Sequence, residues 1–344
     1  MTSVLGSLGA EIEFSDNEVV VKTDGVGSVE PDPTRIGKFR GGFFVIGPLL
    51  ARFGEAVVGL PGGCDIGARP VDIYVSGLRA LGAVVEVRDN KVVAQTANGN
   101  TWLGALTKVS VQEPEIIDLA RFLTKSGAHL EGVGTDKIVI YGKSRLLGAE
   151  YGIMPDRIET GSFMLAAAIT RSCISLSPVF PGWLSSLIDK LVGAGCKITH
   201  KHDMLEVSAV PASSVEDLRG FDVRTLPYPG FPTDLQPQTM ALLSTCNGLS
   251  IVDESVFENR MTHVEELQKL GAKIQVFGST ALIYGKEKGK GGMSIVLAGL
   301  AAEGVTEVNG VSHIDRGYEN LENKLRLLGA DVKRFEFSKS NLQQ

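Results

Sequence analysis

The chain of 344 residues has 43% hydrophobic side chains and a formal charge of −6. That length suggests about two domains with a real core, and the acidic balance argues against a nucleic-acid binder, which shows a basic face. Its four cysteines, Cys64, Cys173, Cys196 and Cys246, form no CxxC pair and its five histidines do not cluster, which argues against a zinc site or a disulfide framework.

The first element is a helix that ends at Gly9, followed by the strand-like "AEIEF". The N-terminal "MTSVLGSLGAEIEF" reads as neither a signal peptide nor a transit peptide. No apolar run approaches the roughly 18 residues of a membrane span. Helix, glycine, small residue and strand then recur. The copies are "LGSLGAEIEF", "LRALGAVVEV", "FLTKSGAHLEG", "LVGAGCKITH", "VEELQKLGAKIQV" and "LRLLGADVKR". In the fifth, Val264, Leu267 and Leu270 share one helical face. Ile274 and Val276 alternate as a strand, and Leu282 begins its partner. The six glycines Gly9, Gly82, Gly127, Gly195, Gly271 and Gly329 stand where a left-handed helix cap is wanted.

A second helix, rich in small residues, is visible in "GGFFVIGPLLARFG", "GSFMLAAAIT", "PQTMALLSTC" and "MSIVLAGLAAEG". None is visible between Gly82 and Gly127, where "LTKVSV" runs straight into "QEPEIIDLARFL". The pattern is that of six α/β units with pieces missing at the start, near Val111–Glu113 and near Glu287–Gly292. One such unit cannot bury its own apolar face, so three units per domain is the natural split. Turn and cap residues concentrate in "GIMPDRIETG". The expected domains are therefore residues 1–154 and 155–344.

Two stretches carry candidate chemistry. In "LPGGCDIGARP", Cys64 follows two glycines in what reads as an exposed loop, with Arg69 nearby. A nearby cation lowers a thiol pKa, Asp65 works against this, and a surface cysteine with no role is the alternative reading. In "FPTDLQPQTMALL", Asp234 reads, on the residues alone, as a helix N-cap.

The motifs "LPGGCDIGARPVD", "TDKIVIYG", "PDRIETGSFMLAAAI", "FPTDLQPQ", "VFENRMTHVEEL" and "HIDRGYENLENKLRLLGA" together resemble the UDP-N-acetylglucosamine enolpyruvyl transferases. The resemblance runs from about Leu5 to Phe335. It implies an α/β fold of two inside-out barrel domains, each of three repeats, with Cys64 in the first. It implies transfer of the enolpyruvyl group of phosphoenolpyruvate to the sugar 3-hydroxyl by addition and elimination, a step in peptidoglycan precursor synthesis. Cys64 then delivers a proton or adds covalently, and Asp234 becomes the general base. Arg69 and Arg316 match phosphoenolpyruvate positions. Arg40, Arg69, Asp72, Lys108, Val109, Ser110 and Val111 match the nucleotide-sugar site, and Pro70, Val71 and Ile73 match substrate-binding positions. Val256 and Arg260 match substrate positions in the second domain.

The expected substrates are UDP-N-acetylglucosamine and phosphoenolpyruvate, with no cofactor, metal, nucleic acid, membrane or obligate protein partner. The family's N-terminal lysine and asparagine, and an arginine before the last small-residue helix, have no counterpart here. Reduced turnover is therefore expected. Two other readings stay open: a sugar-binding chain without catalysis, and the shikimate-pathway relative, 3-phosphoshikimate 1-carboxyvinyltransferase. The expected compartment is the bacterial cytoplasm, or the plastid stroma in a plant-like source.

Overall fold

The computed structural model describes residues 1–15, 18–37, 40–61, 71–96, 112–143, 145–209, 217–285, 293–301, 305–309, 311, 314–315 and 317–335. The chain divides into two compact units, Met1–Ile153 and Met154–Gln344.

The first unit opens with α1 (Thr2–Ser7) and the hairpin β1 (Glu11–Ser15) and β2 (Glu18–Lys22). Short α2 (Pro33–Ile36) and a 3-10 turn, Arg40–Val45, lead into α3 (Ile46–Phe53). Next come β3 (Glu55–Gly59), α4 (Asp72–Ala80), β4 (Ala83–Arg88) and β5 (Lys91–Thr96), then α5 (Pro114–Lys125), β6 (His129–Glu131) and β7 (Val139–Tyr141). The three-stranded sheet runs β3-β5-β4, with both pairings antiparallel.

The second unit repeats the α3-to-β5 arrangement twice. Helix α6 (Arg157–Ile169), β8 (Cys173–Leu176), α7 (Ser185–Ala194), β9 (Lys197–Lys201) and β10 (Met204–Ser208) form one copy, with sheet order β8-β10-β9. After β11 (Val223–Arg224), helix α8 (Gln236–Leu243), β12 (Leu249–Asp253), α9 (Val264–Lys269), β13 (Lys273–Phe277) and β14 (Thr280–Tyr284) form the next, in order β11-β12-β14-β13. Helices α10 (Met293–Ala301) and α11 (Leu321–Leu327) follow. In all three copies the strand after the first helix pairs with the far strand of the hairpin.

The glycines explain how each copy turns. Gly9, Gly82, Gly127, Gly195, Gly271 and Gly329 all have φ between 89° and 116°. Side chains disfavour that region, so the helix stops there and the chain reverses into a strand.

The two helix types differ in composition for a physical reason. A helix apolar all round must be enclosed. Every residue of α6 from Gly161 to Ile169 is buried, as is α8 from Gln238 to Leu243. Small side chains let α6, α8 and α10 pack on one another. Helices α4, α7 and α9 each show one buried face and one exposed face.

Candidate active site

Three segments of the second unit meet around the first turns of α6 and α8. Asp156 caps α6, and its Oδ1 accepts from the amides of Ile158 at 2.7 Å and Glu159 at 3.0 Å. Gly161, one turn on, faces the 3-10 turn Thr233–Leu235. A Cβ there would lie 2.5 Å from Leu235 Cδ1, so a larger residue forces the Leu235 side chain to shift.

Asp234 sits in that 3-10 turn. Its Oδ1 accepts from Arg260 Nη2 at 2.7 Å. The carboxylate side chain is 58% exposed, the arginine only 15%. Arg260 is therefore fixed by packing and presents Asp234 outward. Its guanidinium also lies 5.5 Å from the centre of the Phe257 ring, a favourable cation–π contact. The N-cap reading of Asp234 is corrected by this geometry. Leu235 holds the N-cap position of α8, and no side chain caps it. Asp234 lies one residue too early and is turned toward Arg260 instead.

Glu254, only 3% exposed, anchors the arrangement. Its Oε1 accepts from Thr225 Oγ1 at 2.8 Å and from the amides of Val256 at 2.9 Å and Phe257 at 3.2 Å. Its Oε2 accepts from Thr233 Oγ1 at 2.9 Å.

The third segment brings Tyr318. Its hydroxyl lies 2.7 Å from Ser162 Oγ on α6 and accepts from Gln238 Nε2 of α8 at 3.0 Å. Burial raises the phenol pKa, and the carboxylates of Asp156 and Asp234 push the same way, against the hydrogen bonds from Ser162 and Gln238. The buried Oε1 of Gln238 has no hydrogen-bond partner among the described residues. Half-buried His263 lies beside Arg260, with Nε2 3.2 Å from Met240 Sδ. Its pKa is pushed down to about 4, chiefly by burial and then by the Arg260 charge.

Among the predicted site residues, Asp234, Val256 and Arg260 come together here. Val71, Asp72 and Ile73 come together in the first unit, at the start of α4. Val71 packs on the apolar core there, while Asp72 and Ile73 are exposed. Arg40 opens the 3-10 turn, and its side chain lies outside the described set. Cys64, Arg69, Pro70, Lys108, Val109, Ser110, Val111 and Arg316 also lie outside the described residues, as do Val111 and Glu287–Gly292 at the suspected gaps. Two other thiols are poor nucleophiles. Burial pushes Cys196 up to about 11 and Cys246 up to about 12, against the pull of Arg171. No group of three or more His, Cys, Asp or Glu side chains among the described residues is placed to hold a metal.

Sequence reading missed Glu254, Gln238, Tyr318 and Gly161 as parts of this cluster. Gly161, Gln238 and Tyr318 lie inside motifs quoted above, and Glu254 lies two residues before "VFENR", which is the signal that could have pointed to them.

The fold matches solved enolpyruvyl transferase structures. Against the enolpyruvyl transferase NikO from Streptomyces tendae the TM-score is 0.78, at 19% identity, over 96% of this chain and 86% of that one. Against EPSP synthase from Acinetobacter baumannii it is 0.63, at 16% identity, over 95% and 86%. The architecture is thus that of the enolpyruvyl transferases. The family model of EPSP synthase (3-phosphoshikimate 1-carboxyvinyltransferase) matches residues 1–112 and 98–325. At the level of sequence, the chain is 42% identical to UDP-N-acetylglucosamine 1-carboxyvinyltransferase 2 of Carboxydothermus hydrogenoformans, over 97% of this chain and 87% of that protein. It is 41% identical to UDP-N-acetylglucosamine 1-carboxyvinyltransferase of Prochlorococcus marinus, over 98% and 85%. The chain belongs to the UDP-N-acetylglucosamine 1-carboxyvinyltransferases within that wider family, and is a transferase of this type. These alignments span 367 and 373 positions, more than the 344 residues of the chain. The relatives therefore carry residues inside the aligned span that this chain lacks.

Proposed function

We propose that the chain transfers the enolpyruvyl group of phosphoenolpyruvate to the 3-hydroxyl of UDP-N-acetylglucosamine, the reaction that supplies peptidoglycan precursor. The observation that carries this reading is identity of about two residues in five with transferases of that name along almost the whole chain. The sugar O3 attacks C2 of phosphoenolpyruvate, and its proton passes to Asp234. C3 takes a proton, which the reading assigns to Cys64. C3 then gives up a proton, the C2–O bond to phosphate breaks, and phosphate leaves as the C2–C3 double bond re-forms. The Asp234 carboxylate suits the base role because it is largely exposed yet held at 2.7 Å by a packed arginine. A general base must be fixed within reach of the proton that it takes.

Arg69 and Arg316 hold phosphoenolpyruvate in this reading, since guanidinium pairs with phosphate and carboxylate in a bidentate way. Arg40, the segment Arg69–Ile73 and the segment Lys108–Val111 hold the nucleotide sugar, with Val256 and Arg260 beside them. No described helix is long and apolar enough to cross a membrane.

The test is phosphate release from phosphoenolpyruvate with UDP-N-acetylglucosamine, run beside shikimate 3-phosphate. Release with the nucleotide sugar alone is expected; release with shikimate 3-phosphate alone overturns the reading. Asp234→Asn lowers kcat by about 10²–10⁴-fold, with sugar affinity measured by calorimetry nearly unchanged. Loss of affinity with no selective loss of rate makes Asp234 a binding group instead.

A further inference from the structure

The two residues of the second unit best placed for chemistry, Asp234 and Arg260, lie on different segments, 26 positions apart in the chain. Both segments are tied to one buried carboxylate. Through Thr233, Glu254 holds the turn that carries Asp234. Through the amides of Val256 and Phe257, it holds the start of the segment that ends in Arg260. Through Thr225, it reaches the end of β11. Thr225 Oγ1 itself accepts from the amide of Ser255 at 2.9 Å, so its proton is committed to Glu254. Ser255 Oγ returns a hydrogen bond to the Thr225 carbonyl.

All four groups facing the Glu254 carboxylate donate to it, and a 3% exposed side chain receives little help from water. Desolvating a carboxylate costs several kcal/mol unless its hydrogen bonds offset the loss. For stability alone, a packed apolar side chain would often serve as well. A carboxylate that collects donors from three segments defines their mutual geometry, which an apolar residue cannot do.

We propose that Glu254 is the positioning residue of the site: it sets Asp234 and the Val256–Arg260 segment in one register, so that the base and its guanidinium partner act as a unit. This rests on the reaction proposed above. Glu254 does not touch the reacting atoms and acts through Asp234.

The experiment measures kcat for Glu254→Ala and Glu254→Gln, each with Asp234 intact and with Asp234→Asn. Amide hydrogen exchange across residues 231–236 and 254–260 is followed in parallel. With Asp234 present, Glu254→Ala lowers kcat by about a hundred-fold, the cost of a misplacement near 1 Å. In the Asp234→Asn background the further loss shrinks to within about twofold, because the group being positioned no longer acts. Glu254→Gln restores most of the rate, since its Oε1 keeps the Thr225, Val256 and Phe257 donors while Nε2 donates to a reversed Thr233 hydroxyl. Exchange in both segments quickens in Glu254→Ala well before global unfolding. Equal losses of kcat in the two backgrounds, no loss in Glu254→Ala, or unchanged exchange each overturn the proposal. Exchange is read without turnover. If the chain failed to transfer enolpyruvyl, quickened exchange would still support Glu254 as the anchor while the reaction fell.

Discussion

In the second unit, one apolar cluster draws on every helix from α6 to α11 and on both described sheets. In the first, the cluster draws on α1 to α4 and β3 to β5, and no described residue from 112–153 joins it. The twelve-residue α5 buries Pro114 and Ala120 but leaves Leu119 and Phe122 exposed. Nearby Ile140, Tyr141, Leu146 and Leu147 are exposed as well. Helices α5 and α6 are similar in length, yet one is enclosed and the other is covered on one side only. Burial depends on what the neighbours cover, and packed neighbours rather than helix propensity hold most protein helices. The second unit also carries the cluster around Asp234, and its dense layers suit residues that must hold a fixed geometry.

The largest expected effect sharpens this contrast directly. Leu242→Ala on α8 removes a fully buried side chain and destabilises the second unit by about 2–5 kcal/mol. Leu119→Ala on α5 changes stability by less than about 0.5 kcal/mol. Denaturant unfolding followed by peptide-resolved hydrogen exchange reads the two units separately. Equal losses at the two positions would erase the distinction.

Smaller, but confined to the dense unit, is the effect of Gly161→Ala. The added methyl meets Leu235 Cδ1 at 2.5 Å and Leu187 Cδ2 at 3.2 Å, and overpacking of this kind costs about 1–3 kcal/mol. Because Leu235 adjoins Asp234, kcat falls along with the melting temperature. A stability loss with kcat intact would show that the turn moves without disturbing the base.

The smallest effect concerns acid. His263 has a folded pKa of about 4 against 6.5 unfolded. Between those values the unfolded chain binds a proton that the folded chain refuses. Stability is therefore complete above about pH 6.5 and declines as the pH falls toward 4. The ring is half-buried, so the contribution is about 1–2 kcal/mol, discounted from the full shift for solvent screening. Thermal melts of His263→Gln beside the parent chain at pH 7 and pH 4.5 test it. The parent should lose more stability between the two values, and parallel losses would remove His263 as the cause.

The local rules of the chain made much of this legible in advance. The helix–glycine–strand spacing located all six reversals, because a left-handed cap depends on one residue and its neighbours. The stretches "SFMLAAAI" and "TMALLSTC" already read as helices rich in small residues, and the hairpin "AKIQVFGSTALIYG" as paired strands. The motif "VFENR" brought Val256 and Arg260 forward as candidates through resemblance, and "FPTD" did the same for Asp234. What tertiary structure decided is which side chains meet. Asp234 serves Arg260 rather than a helix end because Gly161 lets the turn approach α6 and Glu254 holds it there. Glu254 gathers donors from positions as far as 29 residues back in the chain, and Gln238 reaches across 80 residues to Tyr318. No periodicity records such pairings, because a carboxylate in a sequence carries no mark of whether water or a buried hydroxyl will satisfy it. That is settled only when the layers close around it.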